Sequence, residues 1–272
     1  MAKCGVLVIS HGSRDPRWVS LVREAVDGIS LPSAPEFHAD GGMPVECAFL
    51  ELVEGSLIQD GIDRLEAAGV TDIIAVPLFI SSGSTHIDEI SWALGVKEEP
   101  ELPTDFPRFR RSAAIHLCAP IDDDPEIAEL LAAKLKPLSA DPGRELVIII
   151  GHGSAEKGFH ERWQAGLSSL AEQVRRIGGY AACDTAMLLP DQAAGKLRSW
   201  RERRPDLRVL VAPLFLSEGY FTGKVIPERL KGFDYAYSGE TLLPSPLITR
   251  WMERRIAAML NALAGAAGSG NG

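Results

Sequence analysis

Three side chains in the first half of the sequence have the chemistry of a metal-handling site: His11, Glu51 and His86. Each follows a short apolar run that is typical of a buried strand. Neutral imidazole is a common protein ligand for Fe²⁺, Co²⁺, Ni²⁺ and Zn²⁺, so the two histidines are candidate ligands. A carboxylate that follows Phe49 and Leu50 is expected to be partly desolvated and able to act as a base. The alternatives are a capping role for His11 and a solvated surface ion pair for Glu51.

Alternating strand and helix patterns connect these residues. Apolar runs of strand length alternate with segments whose apolar residues recur at helical spacing, which predicts a β-α-β-α-β-α-β-α order in the first half. That order predicts a parallel sheet with helices on both faces. Right-handed crossovers then bring the carboxyl end of every strand to one edge. We therefore expect His11, Glu51 and the loop that ends at His86 to lie close together.

The same pattern begins again in the second half. His-Gly-Ser occurs at 11–13 and at 152–154, and Pro-Leu-Phe-x-Ser occurs at 77–81 and at 213–217. Two motifs that recur at an offset of about 140 residues predict an internal duplication.

The duplication predicts an α/β fold with two similar flavodoxin-like, Rossmann-like domains. Each is expected to contain a four-stranded parallel sheet with helices on both faces, and the two are expected to face each other across a cleft. The predicted boundaries are 1–138 for the first domain and 145–264 for the second, with a flexible tail at 265–272.

The second copy lacks the candidate chemistry of the first. The position that aligns with Glu51 holds Leu189, and no histidine follows the second Pro-Leu-Phe motif. Eight residues after Pro213 stands Phe221. The aromatic residues of this loop either line an apolar wall for a flat ligand or simply pack.

Composition excludes several other classes of function. The net charge of −9 argues against nucleic-acid and membrane partners, and no apolar run approaches the ~18 residues of a membrane span. The four cysteines are scattered without a C-x-x-C pair, which favours reduced thiols and a cytoplasmic protein. Neither G-x-x-x-x-G-K-[ST] nor G-x-G-x-x-G follows the first strand, so a nucleotide is not expected.

Four motifs together resemble the sirohydrochlorin chelatases of the CbiX/SirB type. They are Ile-Ser-His-Gly-Ser-Arg at 9–14, Ala-Phe-Leu-Glu-Leu at 48–52, Val-Pro-Leu-Phe-Ile-Ser-Ser-Gly at 76–83 and Ala-Pro-Ile at 119–121. The resemblance covers roughly 1–260. It implies an ATP-independent lyase in which two histidines and a glutamate act on the metal and on the pyrrole protons. Carried over, these are His11, His86 and Glu51, with His11 and His86 as the metal ligands.

The resemblance also implies a tetrapyrrole substrate and residues that contact it. We expect these contacts from Ser13, Ser81, Ser82, Gly83, Ser84 and Phe221. The implied reaction is insertion of Co²⁺ or Fe²⁺, with Ni²⁺ as a further candidate, into sirohydrochlorin in cobalamin or siroheme biosynthesis. The alternative is a non-catalytic protein that binds and delivers the metal or the tetrapyrrole. Because two copies in one chain can supply a complete cleft, a monomer is expected.

The sequence departs from the family pattern at one position. The family histidine stands eight residues after the proline of Pro-Leu-Phe, whereas here that position is Thr85 and His86 comes one residue later. Either the loop bulges by one residue and restores the ligand, or the metal geometry differs.

Overall fold

The structure, a computed structural model, describes residues 2–31, 37 and 42–269. Among these residues it contains seven β-strands: β1 (Cys4–Ser10), β2 (Val45–Phe49), β3 (Asp72–Pro77), β4 (Ala114–Leu117), β5 (Glu145–Gly153), β6 (Ala182–Leu189) and β7 (Arg208–Pro213). The α-helices in the same part of the chain are α1 (Pro16–Asp27), α2 (Ile58–Ala67), α3 (Thr85–Ala93), α4 (Pro125–Leu135), α5 (Phe159–Gly178), α6 (Ala193–Arg203), α7 (Ile226–Arg229) and α8 (Pro246–Ser269). A 3₁₀ turn spans Pro142–Arg144 and a π-helical turn spans Phe221–Val225.

The first sheet has the strand order β2-β1-β3-β4, and all of its strands are parallel. Ser10 pairs with Phe49 and Ile9 pairs with Pro77, so β1, β2 and β3 end at the same level. All seven residues of β1 are buried, as expected of a central strand covered on both faces. The predicted parallel order is confirmed, and it places the segments that follow β1, β2 and β3 at one edge.

The second sheet has the order β6-β5-β7 and is also parallel. It has three strands among the described residues rather than the four we expected. The segment predicted as the fourth strand makes only an isolated bridge between Leu210 and Ala236. Farther along the same segment, the Leu242 and Leu243 backbone NH groups donate to the Phe215 and Leu216 carbonyls over 2.9 and 2.8 Å. Between the bridge and these contacts Gly239 adopts a left-handed φ of 76°, which interrupts the extended backbone, so the contacts do not form one continuous ladder.

The helices present apolar stripes to these sheets. In α5 the fully or nearly buried residues recur every three to four positions, which is the spacing of one helical face. They are Phe159, Trp163, Leu167, Leu170, Ala171 and Val174. Helix α1 starts at Pro16, a residue suited to the first helical position, and the side chain of Asp15 accepts a hydrogen bond from the Arg17 backbone NH.

The chain divides into two compact units that are not continuous in sequence. Unit 1 comprises Met1–Phe79, Thr85–Pro120 and Ile248–Gly272, and unit 2 comprises Ile80–Ser84 and Ile121–Leu247. Unit 1 therefore contains the first sheet together with α8, and unit 2 contains the second sheet together with α4. The predicted boundaries 1–138 and 145–264 describe the sequence repeats and remain a prediction for the domains.

Hydrogen bonds attach α8 to the first repeat. The Thr249 hydroxyl donates to the Ala25 carbonyl over 2.9 Å, and a Glu253 carboxylate oxygen accepts from the Ser30 backbone NH over 2.7 Å. The helix continues to Ser269, so the first part of the tail predicted at 265–272 is helical, and residues 270–272 lie outside the described residues. None of the helices in the described part of the chain is long and apolar enough to cross a membrane.

Candidate active site

Gly12 allows the loop that carries His11 to lie directly against the loop that carries Glu51. Gly12 adopts a φ of +100°, and a Cβ at this position would lie 2.0 Å from the carbonyl oxygen of Glu51. Only a residue without a side chain permits this approach. The Glu51 backbone NH donates to the His11 carbonyl over 3.1 Å, which connects the loop after β1 to the loop after β2.

The second histidine is positioned by the loop after β3. The Ser84 backbone NH donates to the Ser81 carbonyl over 3.0 Å, and α3 then starts at Thr85. His86 therefore lies in the first turn of α3. Its ring centroid is 4.9 Å from that of His11, with an angle of 72° between the ring planes. The structure thus brings the two predicted ligands side by side.

Both rings have their Nδ1 atom occupied by an oxygen acceptor. The Nδ1 of His11 lies 3.1 Å from the Gly12 carbonyl oxygen, and the Nδ1 of His86 lies 3.1 Å from a carboxylate oxygen of Glu89. Because neither oxygen can donate, these contacts favour the neutral tautomer in which Nδ1 carries the proton and Nε2 keeps its lone pair. Neither Nε2 has a hydrogen-bond partner among the described residues, so both are available to a metal ion.

The carboxylate of Glu51 lies beside the first histidine, with 3.8 Å between its Oε1 and the His11 Nδ1. Its side chain is 53% exposed, so the expectation of a partly desolvated carboxylate was wrong. Phe49 and Leu50 pack into the core, and the chain bends after β2 so that Glu51 faces solvent. An exposed carboxylate is suited to exchanging protons with water.

The site is open. The side chains of His11 and His86 are 42% and 38% exposed. Within the described residues, no group of three or more His, Cys, Asp or Glu side chains is arranged to hold a metal ion. Closed structural metal sites use about four protein ligands, whereas two imidazoles leave several coordination positions free. This arrangement suits an ion that is passed on rather than stored.

Glu89 orients His86, a contact that the sequence analysis did not include. The Thr104 hydroxyl donates to the second oxygen of the Glu89 carboxylate over 2.9 Å, so the carboxylate is held from both sides. A partner that fixes the tautomer and the orientation of a ligating imidazole is typical of metal sites. The signal was present in the sequence, because residues three apart on a helix face each other.

The loop residues predicted to contact the substrate have their polar groups engaged locally. Ser81 is buried, and its hydroxyl accepts from the Gly83 backbone NH. The backbone NH and hydroxyl of Ser82 donate to the same Asp122 oxygen over 2.7 and 3.0 Å. A Cβ on Gly83 would lie 2.5 Å from the Phe159 carbonyl oxygen, so this glycine permits close packing on α5. These residues hold the shape of the loop that precedes His86.

The second repeat reproduces the backbone of the first. The Nδ1 of His152 lies 3.0 Å from the Gly153 carbonyl oxygen, the same contact that His11 makes with its own glycine. Gly153 has a φ of +80°, and a Cβ there would lie 2.3 Å from the Leu189 carbonyl oxygen. Leu189 thus occupies the place that Glu51 holds in the first repeat.

A phenylalanine occupies the place of the second histidine. The ring of Phe221 is centred 5.0 Å from that of His152, at 85°, and it stacks on Phe215 at 5.8 Å. His86 stands nine residues after its proline and Phe221 stands eight after its own, yet the ring distances match. The rings of His86 and Phe221 thus lie at similar distances from the histidine of their own repeat, although their spacing from the proline differs by one residue.

Solved structures define the class of this fold. SirB from Bacillus subtilis with Fe³⁺ matches with a TM-score of 0.71, 20% identity and coverage of 97% of this chain and 98% of that chain. The sirohydrochlorin chelatase SirB from Bacillus subtilis subspecies spizizenii, in complex with cobalt, matches with a TM-score of 0.63, 18% identity and 97% coverage of both chains. The predicted α/β fold, that of the chelatases, is confirmed.

The family model described as CbiX matches residues 5–138 and again residues 146–259, once in each repeat. The chain belongs to the CbiX family, as its motifs predicted. Among curated proteins, the sirohydrochlorin cobaltochelatase of Methanothermobacter thermautotrophicus is 29% identical over 140 residues, which cover 49% of this chain and 92% of the relative.

Proposed function

We propose that this chain is a chelatase that inserts a divalent metal ion, Co²⁺ or Fe²⁺, into sirohydrochlorin. The observation that carries the proposal is the pair of histidine rings 4.9 Å apart, each with its Nε2 atom available. The relatives support the same reaction, since a curated one is named for cobalt insertion into sirohydrochlorin and solved ones contain iron or cobalt.

In this proposal, His11 and His86 bind the incoming ion through Nε2 and replace part of its water shell. The remaining positions on the ion stay open to water and then to a pyrrole nitrogen. Because two neutral ligands hold a divalent ion weakly compared with a closed site, the ion can transfer to the macrocycle, which offers four nitrogens. Holding the ion and the macrocycle in contact replaces a bimolecular encounter by an oriented one.

Insertion also releases the pyrrole N–H protons, and Glu51 is the group proposed to receive them. It lies 3.8 Å from the Nδ1 of His11 and is 53% exposed. A carboxylate in this position can take a proton near the metal and pass it to solvent without moving far.

The proposal also includes the residues that contact the tetrapyrrole, a further candidate metal, and the state of the protein in the cell. Ser13, Ser81, Ser82, Gly83, Ser84 and Phe221 remain the proposed contacts to the tetrapyrrole. Of these, Ser13 and Phe221 have accessible side chains, whereas Ser81 and Gly83 are buried. Ni²⁺ is a further candidate metal. We also propose a cytoplasmic monomer that uses no nucleotide and binds neither nucleic acid nor membranes, on the basis of the fused repeats, the negative charge and the free cysteines.

A carrier that binds without turnover is less favoured, because the curated relatives are named as enzymes. The two are separated by mixing purified protein with sirohydrochlorin and Co²⁺ or Fe²⁺ under anaerobic conditions and following the absorbance of the metallated product. We expect multiple turnovers above the spontaneous rate, lost in His11→Ala and His86→Ala. His160→Gln serves as the control, because the ring of His160 lies against the Ser154 carbonyl in unit 2. Binding without acceleration by the wild type would refute the proposed chelatase.

The pH dependence provides a second test. Protons compete with the metal ion for the imidazole ligands, so the insertion rate is expected to decrease as the solution becomes more acidic. Initial rates measured at saturating macrocycle between pH 5 and pH 8, relative to the spontaneous reaction at each pH, check this expectation.

A further inference from the structure

A cavity of about 350 Å³ opens next to the loops that carry His11 and Glu51. Its lining includes Ser13, two residues after His11, and Leu52, directly after Glu51. Since consecutive Cα atoms are 3.8 Å apart, the wall of the cavity starts within about 8 Å of the His11 backbone. The cavity thus adjoins the loop that carries His11.

The cavity is positively charged. Arg14 and Arg23 both line it, and among the described residues no acidic side chain does. The chain as a whole carries a net charge of −9, and several arginines elsewhere form ion pairs with carboxylates, as Arg64 does with Glu46. Two guanidinium groups that share one cavity without a carboxylate form an anion site.

The two arginines differ in how firmly they are held. The Arg23 guanidinium donates to the Ser56 hydroxyl over 3.0 Å and lies 5.8 Å from the centre of the Phe49 ring. The Arg14 guanidinium has no hydrogen bond or ion pair with any described residue. The Arg23 side chain is thus held in the cavity wall, whereas the Arg14 side chain can move toward a bound ligand. Arginine is suited to this task because its planar fork matches a carboxylate.

The rest of the lining fits a short acidic arm. Val19, Leu52 and Val53 provide apolar surface for methylene groups. The Ser13 hydroxyl accepts from the Asp15 backbone NH over 3.0 Å, which leaves its own hydrogen for a ligand. Sirohydrochlorin has acetate and propionate side chains around its ring, each of which ends in a carboxylate.

We propose that this cavity, lined by Arg14 and Arg23, is a carboxylate subsite that binds an acidic side chain of the tetrapyrrole. The inference rests on the proposed function for the identity of the ligand. It adds a specificity site to the metal site: a macrocycle without a carboxylate at this position would bind more weakly.

The test measures binding of metal-free sirohydrochlorin by fluorescence titration to Arg14→Gln, Arg23→Gln and the double variant. Partly exposed charge pairs are individually weak, so we expect the dissociation constant to rise about threefold in each single variant and about tenfold in the double. The kcat at saturating macrocycle should stay near the wild-type value, because the contact is made equally before and during insertion. Arg14→Lys and Arg23→Lys should retain part of the affinity. Arg17→Gln, an exposed arginine of α1 outside the cavity, is the matched control.

The outcomes separate this inference from the proposed function. Suppose that the wild type binds the macrocycle about tenfold more tightly than the double variant but does not insert metal. The chelatase proposal then fails and the subsite stands. If the wild type is active and the double variant binds as tightly as Arg17→Gln, the subsite is refuted. A third outcome would also refute the subsite. If millimolar inorganic phosphate weakens the binding of sirohydrochlorin and of its methyl ester equally, the competition does not depend on the carboxylate, and the cavity is a general anion site. Should Arg23→Gln lose stability with its contacts to Ser56 and Phe49, Arg14→Gln alone decides.

Discussion

Replacing Glu89 by glutamine should weaken metal binding although this residue is not itself a ligand. The change keeps the size of the side chain but removes the charge that holds the Nδ1 proton of His86, over the 3.1 Å contact. An amide can present its NH₂ group to Nδ1 instead, in which case the ring changes tautomer and Nε2 carries the proton. Glu89 therefore acts as a positioning residue whose loss impairs Nε2 as a ligand.

The size of the effect follows from exposure. A hydrogen bond to a charged group contributes about 1.5–3 kcal/mol when it is well shielded. The side chains of His86 and Glu89 are 38% and 29% exposed, which favours a lower figure. We therefore expect about 1.4 kcal/mol, which is a tenfold loss of Co²⁺ affinity, at the lower end of the range for residues that support a metal ligand.

The assay is a Co²⁺ titration followed by the visible d–d absorbance, paired with initial rates of metal insertion at limiting Co²⁺. Thr104→Val, which removes the second hydrogen bond to Glu89, should show a smaller loss in the same direction. Glu98→Gln is the control, since it removes one exposed negative charge from the same unit. Affinity in Glu89→Gln equal to that in Glu98→Gln would refute the positioning role. The positioning role would also be refuted if the loss of Co²⁺ affinity were accompanied by an equal drop in melting temperature in all three variants.

Three further predictions concern stability and reactivity. Gly12→Ala should lower the free energy of unfolding by at least about 2 kcal/mol and reduce activity, since it forces a side chain at a φ of +100° against the Glu51 carbonyl. In the same denaturant titrations Gly195→Ala, in helix α6 with no described atom within 4 Å of the added Cβ, should cause no loss of stability. Burial of Glu145 favours the neutral carboxyl, but hydrogen bonds from the Ala140 and Asp141 NH groups, from Ser139 and from Arg208 hold its pKa below the ordinary value. Glu145→Gln should therefore be less stable than wild type at pH 7, and the gap in melting temperature should narrow as the pH falls below about 4, where wild type loses this contribution. Burial raises the pKa of the Cys47 and Cys183 thiols to about 12, so both should react with iodoacetamide at pH 8 far more slowly in the native than in the denatured protein.

The sequence was sufficient to predict which side chains meet at the site. Strand and helix periodicities are local, and the handedness of parallel crossovers then determines the shared edge. From these rules alone His11, Glu51 and His86 were expected together, and the structure brings them together. Their roles in metal binding and proton transfer remain proposals until tested.

Features that depend on tertiary contacts could not be predicted from the sequence. The exposure of Glu51 depends on how the chain bends after β2, and the neighbouring Phe49 and Leu50 suggested the opposite. The engagement of Glu89 by Thr104 joins residues fifteen positions apart, across a stretch without regular periodicity. In the segment predicted as the fourth strand of the second sheet, Gly239 has a left-handed φ, and the apolar pattern of the sequence does not reveal this interruption of the extended backbone.

The position of α8 also has a consequence for how the protein is made. A ribosome releases the first repeat early, but unit 1 includes Ile248–Gly272 at the other end of the chain. Unit 2, which ends at Leu247, has all of its segments available first. During synthesis the surface of unit 1 that α8 covers therefore stays exposed until the second repeat has emerged. Unit 1 is therefore the unit that begins first and is completed last.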